Sequence, residues 1–287
     1  MIIIAESGST KIDWRIVSSD TSQHSFNTEG FNPNYHARSL LTDFVDELNE
    51  KIQITEAERV YFYGSGCSSY HSKEIVRSAI NQVITGAIVE VNHDLTGAAR
   101  ALFGQGTGIA SILGTGSSSC IFREGEVAYA IPSLGYLLAD EGSGLQLGRL
   151  LLNAYFKNQL PSDLSAKFQD QFNIGLSTFI TQLYTHPKPN SLIASFVPFL
   201  VDHKHEPVIK TLVRKAFGDF FNEIILKYPD YNQYNLGFVG SIAMLFKDLL
   251  YDTASGYNLK VARIIQNPVD ELVKFHLDIL SRTKNDI

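Results

Sequence analysis

The chain has 287 residues and 44% of them are apolar, enough for a globular protein of two domains or one large domain. Its formal net charge of −6 and the lack of a dense Lys/Arg cluster argue against a nucleic-acid-binding protein and favour a small-molecule substrate. No segment approaches the roughly 18 apolar residues of a membrane span, and no signal-peptide pattern is seen, so a cytoplasmic location is expected. Cys67 and Cys120 are far apart in the sequence and are expected to be reduced thiols in strands or the core.

A short apolar run that ends in a turn of small residues occurs twice. The copies cover residues 2–10 and 110–118, and a gapless alignment places Gly8 opposite Gly116. A buried strand that ends in such a turn allows backbone N–H groups and hydroxyls to approach an anion. Two copies in register predict a duplicated fold that holds a nucleotide between its halves.

Each copy leads into a hairpin pattern, so each half is predicted to begin with three antiparallel strands and an anion-binding turn between the first two. The patterns then predict, in chain order, a helix over 35–51, a strand over 60–63, a helix over 72–83, a strand over 87–91 and a helix over 95–103. Asp94 is predicted to be the N-cap of the last of these helices. The glycine-rich segment 104–108 is a predicted hinge between the halves.

Helices dominate the sequence beyond Asp140. The patterns predict helices over 145–158, 164–172, 175–185, 191–201 and 208–227, a strand over 236–239, a helix over 242–251, a strand over 260–264 and a closing helix to about 282. Strands and helices alternate without low-complexity sequence. This alternation predicts an α/β chain.

Five segments in this order resemble the sugar kinases of the actin-like ATPase superfamily. They are AESGSTK (5–11), NHDLTGA (92–98), ILGTGSS (112–118), LADEGS (138–143) and FVGSI (238–242). The resemblance is greatest to the N-acetylglucosamine kinase and benzoyl-CoA-reductase-activator group, the BadF/BadG/BcrA/BcrD ATPase family, and covers nearly the whole chain. It implies a two-domain actin-like ATPase (ribonuclease H-like) α/β fold with a mixed five-stranded sheet flanked by helices in each domain, the second domain being more helical. The implied domains are 1–105, completed by the C-terminal helix 269–287, and 106–268.

The resemblance implies that ATP and Mg²⁺ are the cofactors. The implied ATP-binding residues are Gly8, Ser9, Thr10, Lys11, Thr115, Gly116, Gly240 and Ser241, although an ordinary hairpin and a plain strand-to-helix turn would use the same residue types. Glu6 stands where the family usually has the Asp that helps to hold hydrated Mg²⁺. Because Mg²⁺ keeps several waters in such sites, a carboxylate that acts through water tolerates the extra methylene of Glu.

Asp94 is the expected catalytic residue. Asp is a good N-cap, so the local sequence leaves a structural and a catalytic role equally open. The resemblance favours catalysis, because the family's general base occupies this strand–Asp–helix context and accepts the proton of a sugar hydroxyl that attacks the γ-phosphorus. The implied sugar-binding residues are Asn34, Asp94, Ser117, Ser118, Ser133, Leu134, Gly135 and Asp140.

The function expected from this resemblance is an ATP-dependent kinase that phosphorylates an amino sugar, most closely N-acetylglucosamine to its 6-phosphate. N-acetylmuramic acid, glucosamine and glucose remain alternative substrates. Two other functions stay open. One is an ATPase that activates a dehydratase or reductase, which needs a close cysteine pair for an iron–sulfur cluster. The other is a non-catalytic sugar sensor, which is compatible with Glu6 in place of the usual Asp. The expected partners are ATP and the sugar, without nucleic acid or membrane. A homodimer is compatible, because actin-like sugar kinases often dimerise.

Overall fold

A computed structural model describes residues 1–8, 10–20 and 22–285. The strands among these residues are β1 Ile2–Ser7, β2 Lys11–Val17, β3 Gln23–Glu29, β4 Arg59–Gly64, β5 Ile88–His93, β6 Gly108–Leu113, β7 Ser117–Arg123, β8 Glu126–Ala130, β9 Leu236–Val239 and β10 Val261–Ile265. The α-helices are α1 Arg38–Ile52, α2 Tyr70–Val83, α3 Asp94–Phe103, α4 Gly144–Phe156, α5 Ser162–Phe172, α6 Leu176–Thr185, α7 Pro189–Ala194, α8 Val197–Asp202, α9 Pro207–Glu223, α10 Ser241–Leu245, α11 Lys247–Gly256 and α12 Val269–Asn285.

Spatial proximity divides the chain into two compact units. The first contains residues 1–106, 123–127 and 267–287, and the second contains residues 107–122 and 128–266. The domain boundaries predicted from the sequence describe regions that fold independently. Grouping residues by proximity does not test how the chain folds, so these boundaries stay a prediction.

The first unit is built on a mixed sheet with the strand order β3-β2-β1-β4-β5. The central strand β1 pairs antiparallel with β2 and parallel with β4. Helices α1 and α2 pack against each other beside this sheet, and α12 packs against α3, β1 and β2. Strand β1 is buried over Ile2–Ala5, which explains why it is a continuous apolar run rather than an alternating one.

The second unit repeats this arrangement with the strand order β10-β9-β6-β7-β8. Strand β6 takes the place of β1, because it pairs antiparallel with β7 and parallel with β9. Helices α4 to α11 belong to this unit, and their apolar faces form a core rich in phenylalanine. The predicted α/β fold, with a mixed five-stranded sheet in each half and a more helical second half, is confirmed.

Three predicted helices of the second half are wrong in extent. The helix predicted over 208–227 ends at Glu223, and a separate 3₁₀ turn covers Ile225–Lys227. The other two predicted helices are interrupted. The helix predicted over 191–201 is two short helices, α7 and α8, and the helix predicted over 242–251 is α10 and α11. Both interruptions occur at a buried aromatic residue, Phe196 and Phe246. Since the pieces on both sides of each break face the same core, the apolar periodicity continues across it and hides it in the sequence.

Two predicted helix starts also need correction. Helix α1 begins at Arg38 rather than at residue 35, because the Tyr35 and His36 N–H groups donate to the Asn32 carbonyl and form a separate turn. Asp94 is the first residue of α3 and not its N-cap. The N-cap is His93, whose side chain lies against the Leu95 N–H.

Both cysteines are free and fully buried, as predicted. Burial raises the pKa of each thiol, Cys67 and Cys120, to about 12. Both thiols are therefore protonated near neutral pH. In the described part of the chain, no helix is both long and apolar enough to cross a membrane.

Helix α12 is held to the first sheet by a buried histidine. His276 stacks on the Tyr61 ring with ring centroids 3.5 Å apart, and its Nε2 lies 2.7 Å from the Tyr63 hydroxyl. Arg100 of α3 donates to the same hydroxyl at 2.9 Å. Burial lowers the pKa of His276 to about 4, and the charge of Arg100 acts in the same direction.

We predict that His276 makes the protein less stable in acid. Its pKa is below the unfolded value of about 6.5, so the stability from the neutral imidazole is fully present above pH 6.5 and is lost as the pH falls to 4. Between pH 7 and pH 4, the wild-type protein should lose up to about 3 kcal/mol more unfolding free energy than His276→Gln. Urea denaturation of both proteins across this range measures the difference. Parallel pH curves would contradict the prediction.

Candidate active site

The first predicted phosphate turn joins β1 to β2. The Gly8 N–H donates to the Lys11 carbonyl at 3.0 Å, so this N–H closes the hairpin. Thr10 is exposed, and the Lys11 ammonium lies 2.8 Å from the Asp13 carboxylate. Ser9 lies outside the described residues. The turn therefore presents small and cationic groups to solvent, and the ATP-binding roles of these residues stay a prediction.

The carboxyl of Glu6, near the end of β1, is influenced by two other carboxylates of the first unit. Glu6 lies opposite Asp13 in the β1–β2 register. Burial raises the pKa of Glu6 to about 8, and the charges of Asp94 and Asp13 add to this effect while Lys11 opposes it. Such a concentration of negative charge is what a divalent cation relieves, so these residues fit hydrated Mg²⁺ with Glu6 in its outer shell. In the described ranges, no group of three or more His, Cys, Asp or Glu residues is arranged to hold a metal ion directly.

Asp94 lies at the junction of β5 and α3, where its carboxylate is oriented by two neighbours. Oδ1 accepts the Leu95 N–H at 2.7 Å and lies 2.8 Å from Nδ1 of His93. Burial lowers the pKa of His93, but the hydrogen bond to Asp94 and its charge outweigh burial, and the pKa is above its ordinary value. The Asp94 side chain keeps 18% of its surface exposed. It is thus a fixed carboxylate that a substrate hydroxyl can reach.

Asn34 belongs to a turn that is fastened to the end of β1. The Ser7 hydroxyl donates to the Phe31 carbonyl at 2.8 Å and accepts the Phe31 N–H at 3.2 Å. Within the turn, the Asn34 N–H donates to Oδ1 of Asn32. Gly66 has a φ of +80°, and a Cβ there would lie 2.8 Å from the Asn34 amide nitrogen. Asn34 is therefore an exposed amide beside a glycine turn, as a sugar-binding residue needs to be.

The second predicted phosphate turn joins β6 to β7 and is held from the side by the start of α4. The Gly114 N–H donates to the Gly116 carbonyl at 3.0 Å and closes the turn. The carbonyls of Gly114 and Thr115 accept the N–H groups of Gly144 and Leu145 at 2.8 and 3.1 Å. These bonds fix the backbone of the turn.

Gly240, between β9 and α10, packs directly on this turn. It has a φ of +122°, and a Cβ at this position would lie 2.4 Å from the Leu113 carbonyl oxygen. Only glycine fits both the conformation and the space. The β9–α10 junction thereby brings the next residue, Ser241, to the rim of a cavity that the turn also lines.

This first cavity has a volume of about 300 Å³ and lies within the second unit. Thr115 and Ser241 are the predicted ATP-binding residues that line it, whereas Gly116 and Gly240 do not. Its apolar wall comes from helices α7, α8 and α10, and includes Val197, Pro198, Val201 and Ile242. A mostly apolar cavity beside a phosphate turn has the character of a nucleoside site. This wall could not be predicted from the sequence, because its apolar residues recur at the spacing of any helix that faces a core.

A second, smaller cavity lies beside the start of β7. Four predicted sugar-binding residues line it, namely Ser117, Ser118, Ser133 and Asp140. Two others, Leu134 and Gly135, do not line it and lie on an exposed loop. Sequence reasoning missed Ser119, Phe220 and Ile224 in the cavity wall, and assigned no role to Glu141, which also lines it. The sequence offered one signal for these missed residues, because Ser119 directly follows the predicted residues Ser117 and Ser118.

Asp140 connects the second cavity to the second phosphate turn. Its Oδ1 accepts the Ser117 N–H at 2.9 Å, and a Cβ at Gly116 would lie 2.9 Å from the same carboxylate. Burial raises the pKa of Asp140, the Ser117 hydrogen bond opposes this, and the charge of Glu141 adds to it. Asp140 also has a φ of +71°, a conformation that Asn and Asp tolerate better than other side chains.

Solved structures share this fold. A provisionally assigned N-acetylglucosamine kinase from Porphyromonas gingivalis is 35% identical, with a TM-score of 0.91 over 96% of this chain and 98% of that one. A protein with the same assignment from Chromobacterium violaceum is 16% identical, with a TM-score of 0.74 over 96% and 98%. MreB5 of Spiroplasma citri, bound to ADP, is 10% identical, with a TM-score of 0.59 over 98% and 96%; these last two likenesses show the fold alone. No protein-family model and no curated protein matches the sequence.

We predict that Asp140 restrains the second phosphate turn. Replacing Asp140 with Ala removes the acceptor of the Ser117 N–H, so the Ser117 amide should exchange its hydrogen about tenfold faster. Asp140→Asn keeps both an acceptor oxygen and a side chain that tolerates positive φ, and should leave exchange unchanged. Hydrogen exchange followed by NMR measures both variants. Equal protection in the wild-type protein and in Asp140→Ala would refute this restraint.

Proposed function

Because the chain belongs to the N-acetylglucosamine kinase-like sugar kinases of the actin-like ATPase superfamily, we propose that it transfers the γ-phosphate of ATP to a hydroxyl of an amino sugar. The family membership rests on 35% identity over 96% of the chain. The observation in the site that supports this function best is the fixed, solvent-accessible carboxylate of Asp94 at the start of α3.

Asp94 is the proposed general base. As the sugar oxygen attacks the γ-phosphorus, its proton passes to the Asp94 carboxylate, the new P–O bond forms and the bond to the ADP oxygen breaks. The Leu95 N–H and His93 hold Oδ1, so the carboxylate does not have to reorient during the reaction. A base of this kind contributes roughly 10²–10⁴-fold to the rate.

The proposed ATP-binding residues are those of the two phosphate turns, with Thr115 and Ser241 at the cavity that suits the nucleoside. When bound, Mg²⁺ would neutralise the negative charge of the β- and γ-phosphates. Glu6 would hold the hydrated ion through water. The charge of such an ion favours the ionised form of Glu6, whose pKa burial raises in the ligand-free protein.

The proposed acceptor is the 6-hydroxyl of N-acetylglucosamine. Asn34 has an amide group, and Ser117, Ser118 and Asp140 have hydroxyl and carboxylate groups, which are the usual partners of sugar hydroxyls. The assignment of the Porphyromonas gingivalis protein supports this substrate.

The test is ADP release with Mg²⁺-ATP across N-acetylglucosamine, N-acetylmuramic acid, glucosamine and glucose. We expect ADP release with an amino sugar, and highest kcat/KM with N-acetylglucosamine. ADP release that no sugar stimulates would favour an activating ATPase instead, and saturable sugar binding without ADP release would favour a sensor.

We predict that Asp94→Asn lowers kcat by roughly 10²–10⁴-fold, because the amide accepts no proton from the sugar. ATP affinity and thermal stability should be retained, since the amide oxygen still accepts the Leu95 N–H. Asp46→Asn, on the exposed face of α1, is the matched control and should keep full activity. Steady-state kinetics and calorimetric ATP binding measure these effects. An Asp94→Asn protein with wild-type turnover would rule out the assigned base.

A further inference from the structure

The second cavity has two chemically different walls. Ser117, Ser118 and Asp140 form a polar wall, and Phe220 and Ile224 form an apolar one. Only about 20 Å³ of the cavity is open to a group the size of water. This enclosed part of the cavity therefore suits a small group rather than a whole sugar ring.

Neighbouring residues restrain the part of the apolar wall that Phe220 forms. Phe220 and Ile224 are four residues apart at the end of α9, so their side chains lie on the same face. Gly142 has a φ of +74°, and a Cβ there would lie 2.9 Å from Cβ of Phe220. Asp219 accepts from the Gln146 amide at 2.7 Å, and Gln146 accepts the Gly142 N–H at 2.6 Å. Phe220 therefore packs closely against the loop that carries Gly142.

A buried tyrosine fixes the remaining side of the cavity. The Tyr228 hydroxyl lies 2.7 Å from the Ser119 hydroxyl and accepts the Ile131 N–H at 3.3 Å. Ser119 belongs to β7, and Ile131 begins the loop after β8, so this one hydroxyl sets the distance between two lining segments. The Ser119 and Ile131 sides of the cavity are thus connected by hydrogen bonds through Tyr228.

We propose that this cavity holds the N-acyl group of the amino sugar, with the acyl methyl against Phe220 and Ile224, and that Ile224 limits the acyl group to acetyl. The inference rests on the proposed function and adds a specificity-determining residue to it. A methyl group gains from the apolar wall, whereas a longer acyl chain would overpack it. A sugar with an unsubstituted amino group would place its ammonium charge against apolar side chains.

The test changes the size of the cavity with substitutions of Ile224, one to a smaller and one to a larger side chain. The substrates are N-acetyl-, N-propanoyl- and N-butanoylglucosamine and glucose, each with Mg²⁺-ATP. Ile224→Ala should raise kcat/KM for N-butanoylglucosamine relative to N-acetylglucosamine by about tenfold or more, because one methylene in an apolar pocket has an effect of this size. Ile224→Phe should lower kcat/KM for N-acetylglucosamine by a similar factor, and by more than it lowers kcat/KM for glucose.

Leu226→Ala is the matched control, because Leu226 is half-buried two residues further along and does not line the cavity. It should leave the acyl preference unchanged. If Ile224→Ala does not fold, Ile224→Val with N-propanoylglucosamine applies the same test. An acyl preference that no Ile224 variant alters would overturn this inference alone. A wild-type protein that neither binds nor phosphorylates any of these sugars would overturn the proposed function and this inference together.

Discussion

The loop over residues 140–145 holds the second phosphate turn, and the hydrogen bond from the Ser117 N–H to Asp140 is its central contact. The turn on one side of this bond accepts hydrogen bonds, through its carbonyls, from N–H groups at the start of α4. On the other side is the small cavity whose apolar wall is Phe220 and Ile224. Because one carboxylate serves both, the shape of the cavity depends on the same contacts that shape the turn. Asp140 is suited to this position because it tolerates the left-handed backbone conformation.

In the first unit, the pKa of Glu6 responds to two other carboxylates. Glu6, Asp13 and Asp94 belong to different elements, and the β1–β2 pairing and the β5–α3 junction bring their charges close enough to affect Glu6. Burial is the largest cause of its raised pKa, of about 8. In the proposed function, the charge of a bound Mg²⁺ would favour the ionised form of Glu6, so that Glu would supply the same negative charge as the Asp expected at this position.

The sequence predicted the fold well where the physical signal was local. The doubly buried strand Ile2–Ala5, the hairpins and the paired small-residue turns follow from residue patterns alone. The breaks at Phe196 and Phe246 were missed, because a buried aromatic at a helix junction continues the apolar period. Phe220 and Ile224 were missed as site residues for a related reason. Their spacing is that of any core-facing helix, and only the tertiary structure shows that a cavity interrupts the core there.

The central claim is that this chain moves a phosphoryl group from ATP to a sugar and does not simply hydrolyse ATP. The most direct measurement is ³¹P NMR of a mixture of protein, Mg²⁺-ATP and N-acetylglucosamine. The account predicts a phosphomonoester resonance that couples to the methylene protons at C6 and grows in step with ADP. Growth of inorganic phosphate alone, with no sugar phosphate, would contradict it.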